Sequence, residues 1–511
     1  MSGTRARDDN LRAPRLCLLL WLCLLLLGAA FVTEALPDPP YNPDSWTYWD
    51  LAKSIFSDFY RIPGLRAYQT TLPWSQAFPP LWPVLNAVVA ALLGTGPVTL
   101  LLTNCAVLVL LAAASAAASR ALFGSAVPAL VAVILMLGDG SFRGELLGGR
   151  PIPLQMTFLA AVIALLAAPA SARRYLLAGL LCGLMLTTKF DVMPLVAVIA
   201  LYLLLAPGRR YLPLFLLAAA IPPLPWAWFS WTHFGRPFAS DGSPIAAITD
   251  PLAFTTDFRL DWRPTLRDDP AAWLRKLAPH LTELYWSFRK SWSATQVATI
   301  ALAGLIAVGV AVAARRWRAV LGPHAALLAA VGLGLGAMLS SYVVTGFLDE
   351  RYYAPIRWFA ALLALGLAWR ALPYERFGRM ALAGLGVALA LVAGAGLRRE
   401  SFGWRPLPQF EHPASIAVLT ECLDRIAPTK LLFLDDDYLA ARYAALTGRP
   451  SGMVPANFDR LGPTELAEFV SRFGFGAAAW RSPRGLARAQ RLAPTPIANC
   501  NRAAQIGAAQ P

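Results

Sequence analysis

"LCLLLWLCLLLLGAAFV" (residues 16–32) and, after a short polar turn, "YNPDSWTYWDLA" (residues 41–52) decide the reading of this chain. The first stretch carries 17 residues without a charge, close to the length needed to cross a hydrocarbon core of ~30 Å. The second carries Asp44 and Asp50 among four aromatic side chains, with Lys53 next to it. Charged groups beside a membrane span either solvate a helix end or do chemistry. Helical spacing puts Asp44 and Tyr48 on one rough face, and Asp44 suits a helix N-cap. Asp50 turns away and reads as a solvated helix residue.

The pattern recurs along the chain. Of 511 residues, 57% are hydrophobic and 15% charged, against roughly 25% charged in soluble proteins. Apolar runs fall at about 16–36, 78–94, 97–119, 125–138, 152–168, 175–188, 191–206, 211–232, 294–313, 323–345, 354–370 and 379–397. This is a polytopic α-helical membrane protein. The first run is longer than a signal-peptide core and has no clear small-x-small cleavage site, so it reads as a retained span. The net charge of +15 does not point to nucleic acid, because the basic residues gather between runs. The clusters are Arg5/Arg7/Arg12/Arg15, Arg173/Arg174, Arg209/Arg210, Arg315/Arg316/Arg318 and Arg376/Arg379. That is the positive-inside signature, which fixes orientation.

Twelve runs conflict with that orientation. Residues 139–150 and 37–77 must both lie outside, so an even number of crossings separates them, yet three runs do. Run 78–94 is short and opens on prolines, and reads as a helix lying along the outer interface. The alternative non-spanning run is 125–138. About eleven spans remain. The first outer loop (37–96), an outer loop at 233–293 and residues 401–511 then fall on the outer side. The 233–293 loop holds an amphipathic helix, "AAWLRKLAPHLTELYWSFRKSW". In the C-terminal region "TKLLFLDDDYLAARYAALTGRP" reads as strand, turn and helix. "PTELAEFVSRFGFGAAAW" reads as helix then strand, so a small α/β domain is expected there. Cys422 and Cys500 could pair if this region meets an oxidising compartment.

Four ionisable groups collect on the outer side. They are Asp44/Asp50/Lys53; Asp139, Arg143, Glu145 and Arg150 in "GDGSFRGELLGGRPIPLQ"; Lys189 and Asp191 in "TTKFD"; and Asp349, Glu350, Arg351, Tyr352, Tyr353 and Arg357 in "FLDERYYAPIRW". Each has a plain structural reading, as a cap, a solvated glycine-rich loop, a local ion pair or an interfacial tyrosine belt. Together they suggest an outward-facing membrane-edge site for an anionic amphiphile. No CxxC or His-rich cluster suggests a metal.

The order of these segments resembles the GT-C glycosyltransferases. "PDSWTYWDLAKSI" is similar to their D-x-x-x-Y-x-x-x-A segment. "FPPLWPVLNAVVAALLG" is similar to their Pro-Pro juxtamembrane motif, and "RALFGSAVPALVAVIL" with "RGELLGGRPIPLQMTFLA" to the helix and acidic loop that follow. "LCGLMLTTKFDVMPLVAVIAL" resembles their Thr-Lys motif, and "ERYYAPIRWFAALLALG" their Glu-Arg-Tyr-x-x-Pro segment. The likeness covers most of residues 15–400 and points to the protein-mannosyltransferase-like and aminoarabinose-transferase-like bacterial members. It implies a GT-C transmembrane domain over 1–400 and an extracytoplasmic α/β domain over 401–511. It implies transfer of a hexose or pentose from a polyprenyl-phosphate-type donor to a lipid, glycan or protein acceptor outside the cytoplasmic (inner) membrane. Asp44 takes the position of the family's first-loop acid, and Glu145 or Asp139 that of a second acid. Lys53, Arg143, Arg150, Lys189, Arg351 and Tyr352 are candidates for the lipid phosphate. A divalent cation, Mg2+ or Mn2+, enters only through this resemblance, and the "DS" at Asp44 departs from the commoner acidic pair. Trp46, Tyr48, Trp49 and Trp74 read as interfacial anchors or sugar-stacking faces. A transporter or lipid flippase is the competing class, but it predicts buried charges and repeat symmetry. An O-antigen-ligase-like enzyme shares the bulk properties.

Overall fold

A computed structural model describes residues 3–36, 43–57, 59, 64–65, 78–94, 96–235, 237–238, 269–290, 294–313, 322–345, 350–371, 384–389, 430–434, 440, 443–444, 448–455, 458–480, 483–492, 494–497 and 500–506. The helices are α1 (Gly3–Ala35), α2 (Pro43–Ser54), α3 (Leu81–Leu93), α4 (Thr99–Phe123), α5 (Val127–Leu137), α6 (Gly140–Leu147), α7 (Ile152–Ala167) and α8 (Ala172–Thr188). They continue with α9 (Met193–Leu205), α10 (Leu212–Ala220), α11 (Leu224–Phe234), α12 (Pro270–Lys290), α13 (Ala294–Ala313), α14 (Ala325–Thr345) and α15 (Ala354–Ala371). A short 3-10 turn, Glu350–Tyr353, leads into α15. In the C-terminal region lie α16 (Pro463–Phe473) and α17 (Pro483–Gln490).

The helical body is built around α5. Its sequence, VPALVAVILML, is apolar all round, and all of its residues are buried. A helix with no polar face has to sit inside its neighbours. Here those neighbours include α1, α4 and α15. The outer surface is greasy too: Leu18, Leu22 and Leu26 on α1 and Leu201, Leu204 and Leu205 on α9 are exposed. A surface like that suits hydrocarbon rather than water. Among the described residues, two helices, Leu16–Thr33 and Thr99–Phe123, are long and apolar enough to cross a membrane, or up to four if each bent pair is one span. The bent pairs are α5 with α6, at 85°, and Arg209–Ala220 with Leu224–His233, at 46°. At 1.5 Å per residue, α3 is ~20 Å long and α5 ~17 Å. Neither of the two runs between which parity has to choose is a straight crossing by length. Run 379–397 falls largely outside the described residues.

Close helix approach is made by small residues. A Cβ added to Gly179 would lie 2.2 Å from the Phe215 carbonyl oxygen, and one on Gly183 2.5 Å from that of Ala219. This small-xxx-small pair lets α8 and α10 meet backbone to backbone.

The C-terminal strands are β2 (Lys430–Phe433), β3 (Ser451–Met453), β4 (Phe475–Ala479), β5 (Pro494–Ile497) and β6 (Cys500–Ile506). Strand β1 (Gly64–Leu65) comes from the segment between α2 and α3 and pairs in parallel with β3, Gly64 facing Ser451 and Leu65 facing Gly452. The sheet order is β1-β3-β2-β4-β6-β5. β2 is parallel to β3 and β4, while β6 is antiparallel to both β4 and β5. The helix read over "PTELAEFVSRF" is α16, whose Leu466, Phe469, Val470 and Phe473 cover the sheet. Gly474, at φ +67°, ends it and turns the chain into β4. The sequence reading missed β1, whose two residues carry no strand pattern of their own. Cys422 lies outside the described residues, and with it the Cys422–Cys500 pairing.

Candidate active site

The site is organised by α6, eight residues that break sharply from α5. Asp139 stops one helix and starts the next: its Oδ1 accepts the amide N–H of Ser141 at 2.8 Å and of Phe142 at 3.5 Å. That is an N-cap, which satisfies donors the first turn leaves unpaired. The segment is therefore not the solvated glycine-rich loop its composition allows. Phe142, Arg143, Gly144, Glu145 and Leu146 are all buried.

The far end of α6 is held as firmly. Asn104, in the second turn of apolar α4, donates its amide to the carbonyls of Glu145, Leu146 and Arg150 at 3.1, 2.9 and 3.1 Å. Trp82 on α3 donates to the Gly149 carbonyl at 2.9 Å, and Ser45 on α2 to that of Gly148 at 2.6 Å. Gly149 sits at φ +65°, where an added Cβ would meet the Leu100 Cβ at 2.4 Å, so the turn needs glycine. The Ser45 bond ties the start of α2 to the end of α6, and the neighbouring Asp44 meets Arg351, which also approaches Glu145.

A chain of charges results. Arg351 Nη1 lies 2.9 Å from Asp44 Oδ2 and 4.0 Å from Glu145 Oε1. Arg150 Nη2 lies 2.8 Å from the same Glu145 oxygen. Arg351 also donates to the Tyr352 hydroxyl at 3.2 Å. Over the Tyr352 ring, 4.0 Å from its centroid, sits Lys189 Nζ, which is 2.8 Å from Asp191 Oδ2. Gln155 donates to Asp191 Oδ1 at 3.5 Å. Asp44, Glu145, Arg150, Lys189, Arg351 and Tyr352 thus come together, from segments up to 307 residues apart. Burial distinguishes the two central acids: the Asp44 side chain is 20% exposed and that of Glu145 2%.

Three candidates are engaged elsewhere. Arg143, two residues before Glu145 and so on another face of α6, lies over the Phe31 ring of α1 at 5.2 Å. Lys53 pairs with Asp50 at 2.8 Å. Asp139 Oδ2 meets Arg357 Nη1 and Gln296 Nε2, each at 2.9 Å. Asp50 corrects the sequence reading. It is buried rather than solvated, because α2 lies between other elements, and that burial pushes its carboxyl above the ordinary range with Lys53 opposing the shift. Trp46, Tyr48 and Trp49 are buried in one cluster with Trp82 and Leu154, so they present neither a sugar-stacking face nor an interfacial belt. Trp74 and Asp349 lie outside the described residues.

Sequence reasoning missed the residues that place these groups: Ser45, Trp82, Asn104, Gln155 and Gln296. The available signal was polarity inside apolar runs, since a lone Asn or Gln there has to find buried partners. Among the described residues, no group of three or more His, Cys, Asp or Glu side chains converges as a metal ion would require.

No protein-family model matches the chain, and no curated protein sequence does. Solved structures do. The archaeal oligosaccharyltransferase AglB from Archaeoglobus fulgidus, in complex with an inhibitory peptide and a dolichol-phosphate, superposes with a TM-score of 0.53 at 12% identity. The match covers 90% of this chain and 69% of that one. The Archaeoglobus fulgidus oligosaccharyltransferase tethered to an acceptor peptide gives a TM-score of 0.56 at 13% identity, covering 90% and 68%. ArnT from Cupriavidus metallidurans bound to undecaprenyl phosphate gives 0.53 at 14% identity, covering 96% of this chain and 98% of that one. The chain has the GT-C fold. At these identities the likeness establishes the GT-C fold and leaves the activity to be argued from the site.

Proposed function

We propose that this chain is a membrane glycosyltransferase. It takes a hexose or pentose from a polyprenyl-phosphate-type carrier and passes it to a lipid, glycan or protein acceptor on the outer face of the cytoplasmic (inner) membrane of a bacterium. One observation carries the reading: the part-exposed Asp44 carboxylate is held against Arg351 beside the buried Glu145–Arg150 pair. The GT-C fold supports it, since AglB was solved with a dolichol-phosphate and ArnT with undecaprenyl phosphate.

The chemistry needs a base beside the acceptor and positive charge beside the leaving group. In this reading the acceptor oxygen attacks the anomeric carbon, and its proton passes to Asp44. The C1–O bond to phosphate breaks, and the electron pair stays on the lipid phosphate. Arg351, with Arg150 and Lys189 nearby, offsets that charge. Glu145 holds Arg150 and Arg351 in place rather than meeting substrate, because it is buried. No step is routed through a divalent cation: arginine guanidinium groups already stand at the carboxylates where Mg2+ or Mn2+ would bind.

The test is Asp44→Asn in purified full-length protein, assayed with polyprenyl-phosphate-linked sugars. Transfer should fall ~10²–10⁴-fold, the span general-base catalysis supplies, with the thermal midpoint preserved. Full transfer by a folded Asp44→Asn protein would overturn the assignment.

A further inference from the structure

Asp139 and Arg357 form a charged pair that the ion chain of the site does not use. Arg357 is 1% exposed on its side chain and Asp139 6%. Every contact of the Asp139 carboxylate is internal. Oδ1 accepts the Ser141 amide, the Ser141 hydroxyl at 3.0 Å and the Phe142 amide. Oδ2 accepts from Arg357 and Gln296. Arg357 also donates to the Ser141 hydroxyl. Two carboxylate oxygens offer about four lone-pair sites, so no acceptor position is left for a substrate hydroxyl.

The place of the pair matters as much as its saturation. Asp139 caps α6 six residues before Glu145 (139 to 145), and Arg357 lies six residues after Arg351 (351 to 357) on the first turn of α15. The bond therefore ties α6, which carries Glu145, to α15, whose leading 3-10 turn carries Arg351. Gln296 brings α13 to the same point. Asn104, Ser45 and Trp82 pin the other end of α6, so this short helix is fixed at both ends. Stability alone does not call for ions here, because an apolar pair of similar volume in a buried site is often as stable.

We propose that Asp139 and Arg357 are positioning residues. They set the spacing of Glu145 and Arg351, and through Arg351 the presentation of Asp44, without touching substrate. The kinetic consequence rests on the glycosyltransferase reading; the mechanical one does not. Misplacing reacting groups by about 1 Å can lower a rate ~10²-fold, so a loosened pair should be read in turnover.

The experiment uses the full chain in detergent. The double variant Asp139→Asn/Arg357→Met keeps the cap acceptor and removes both charges together, leaving no orphaned ion. Its kcat should fall by ~10²-fold while KM for the lipid-linked donor stays within about two-fold. The thermal midpoint should stay within about 5 °C, and Arg357→Lys, which keeps the cation, should restore part of kcat. Unchanged kcat, a rise in KM alone, or loss of the fold in the double variant would each overturn the proposal. A second arm needs no activity. Arg351→Gln is introduced into the wild-type and double-variant backgrounds, and the two shifts in thermal midpoint are compared. Positioning predicts a smaller shift in the double variant, where the Arg351–Asp44 contact is already loosened; equal shifts overturn it. A wild-type chain that transfers no sugar would refute the glycosyltransferase reading, while the second arm would still decide the pair.

Discussion

Two arginine–carboxylate clusters in this molecule use the same chemistry for different ends. In the C-terminal region, Arg488 donates to both oxygens of Asp459 at 2.7 Å and to the Leu434 carbonyl at 2.7 Å. Arg484 adds a further 2.8 Å bond to Asp459, and Arg491 donates to the carbonyls of Phe458 and Leu461. Asp459 and Arg488 are 29 residues apart. In the helical body, Arg351 reaches Asp44 across 307 residues, and the chain of ions runs on through Glu145, Arg150, Tyr352 and Lys189. The first cluster closes a helix over its own sheet and divides its donors between Asp459 and backbone carbonyls. The second gathers side chains from α2, from α6 and the turn after it, from the Glu350–Tyr353 turn and from the α8–α9 junction. Glu145–Arg150 and Lys189–Asp191 are local pairs, and Arg351 joins them to Asp44 across the chain; that long reach separates a candidate site from a structural tie.

The comparison can be broken most decisively at Arg351. Arg351→Met should lower transfer by ~10²-fold or more, as expected on removing a group that faces developing charge, with a small change in thermal midpoint. Steady-state kinetics beside thermal unfolding checks this. Equal loss of kcat and stability would put Arg351 in the same class as Arg488.

Arg488→Met should do the reverse. The change leaves the Leu434 carbonyl without its buried donor, and stability should drop by about 1–3 kcal/mol. Turnover per folded molecule should be unchanged, read by denaturant titration and by activity normalised to the folded fraction.

The smallest effect is a pH dependence. Hydrogen bonds from Arg488, chiefly, hold the Asp459 carboxyl below the usual range. A depressed carboxyl contributes stability that is present above its unfolded value and is lost as pH falls through that value towards the folded one. The thermal-midpoint advantage of wild type over Asp459→Asn should therefore shrink below about pH 4. An advantage that is constant with pH would show that Asp459 acts by packing alone.

The sequence carried different parts of this picture to different depths. Asp44, Glu145, Arg150, Lys189, Arg351 and Tyr352 were legible as candidates because charge is rare in so apolar a chain. Lys53 and Arg143 looked equivalent to them, yet Lys53 pairs with Asp50 and Arg143 lies over the Phe31 ring, since one or two residues along a helix turn a side chain onto another face. Asp50 read as solvated and is buried, because exposure depends on which elements flank α2 and not on the helix itself. The aromatic residues of α2 were legible as a cluster but not as core.

Read alone, the chain dictates the class of solvent and the menu of groups. Long apolar runs with arginines between them require helices against hydrocarbon, and the few acids and bases left are the only ones available for chemistry. Long-range pairing, by contrast, emerges only when the helices pack. Asp44 meets Arg351 because Ser45 bonds to the Gly148 carbonyl and Asn104 holds the end of α6. The sheet takes Gly64–Leu65 as a strand because Ser451–Met453 offers a parallel edge. Such contacts join positions from 41 to more than 300 residues apart, and the periodicity of a sequence is local: it orients a side chain about its own helix and says nothing of what stands opposite.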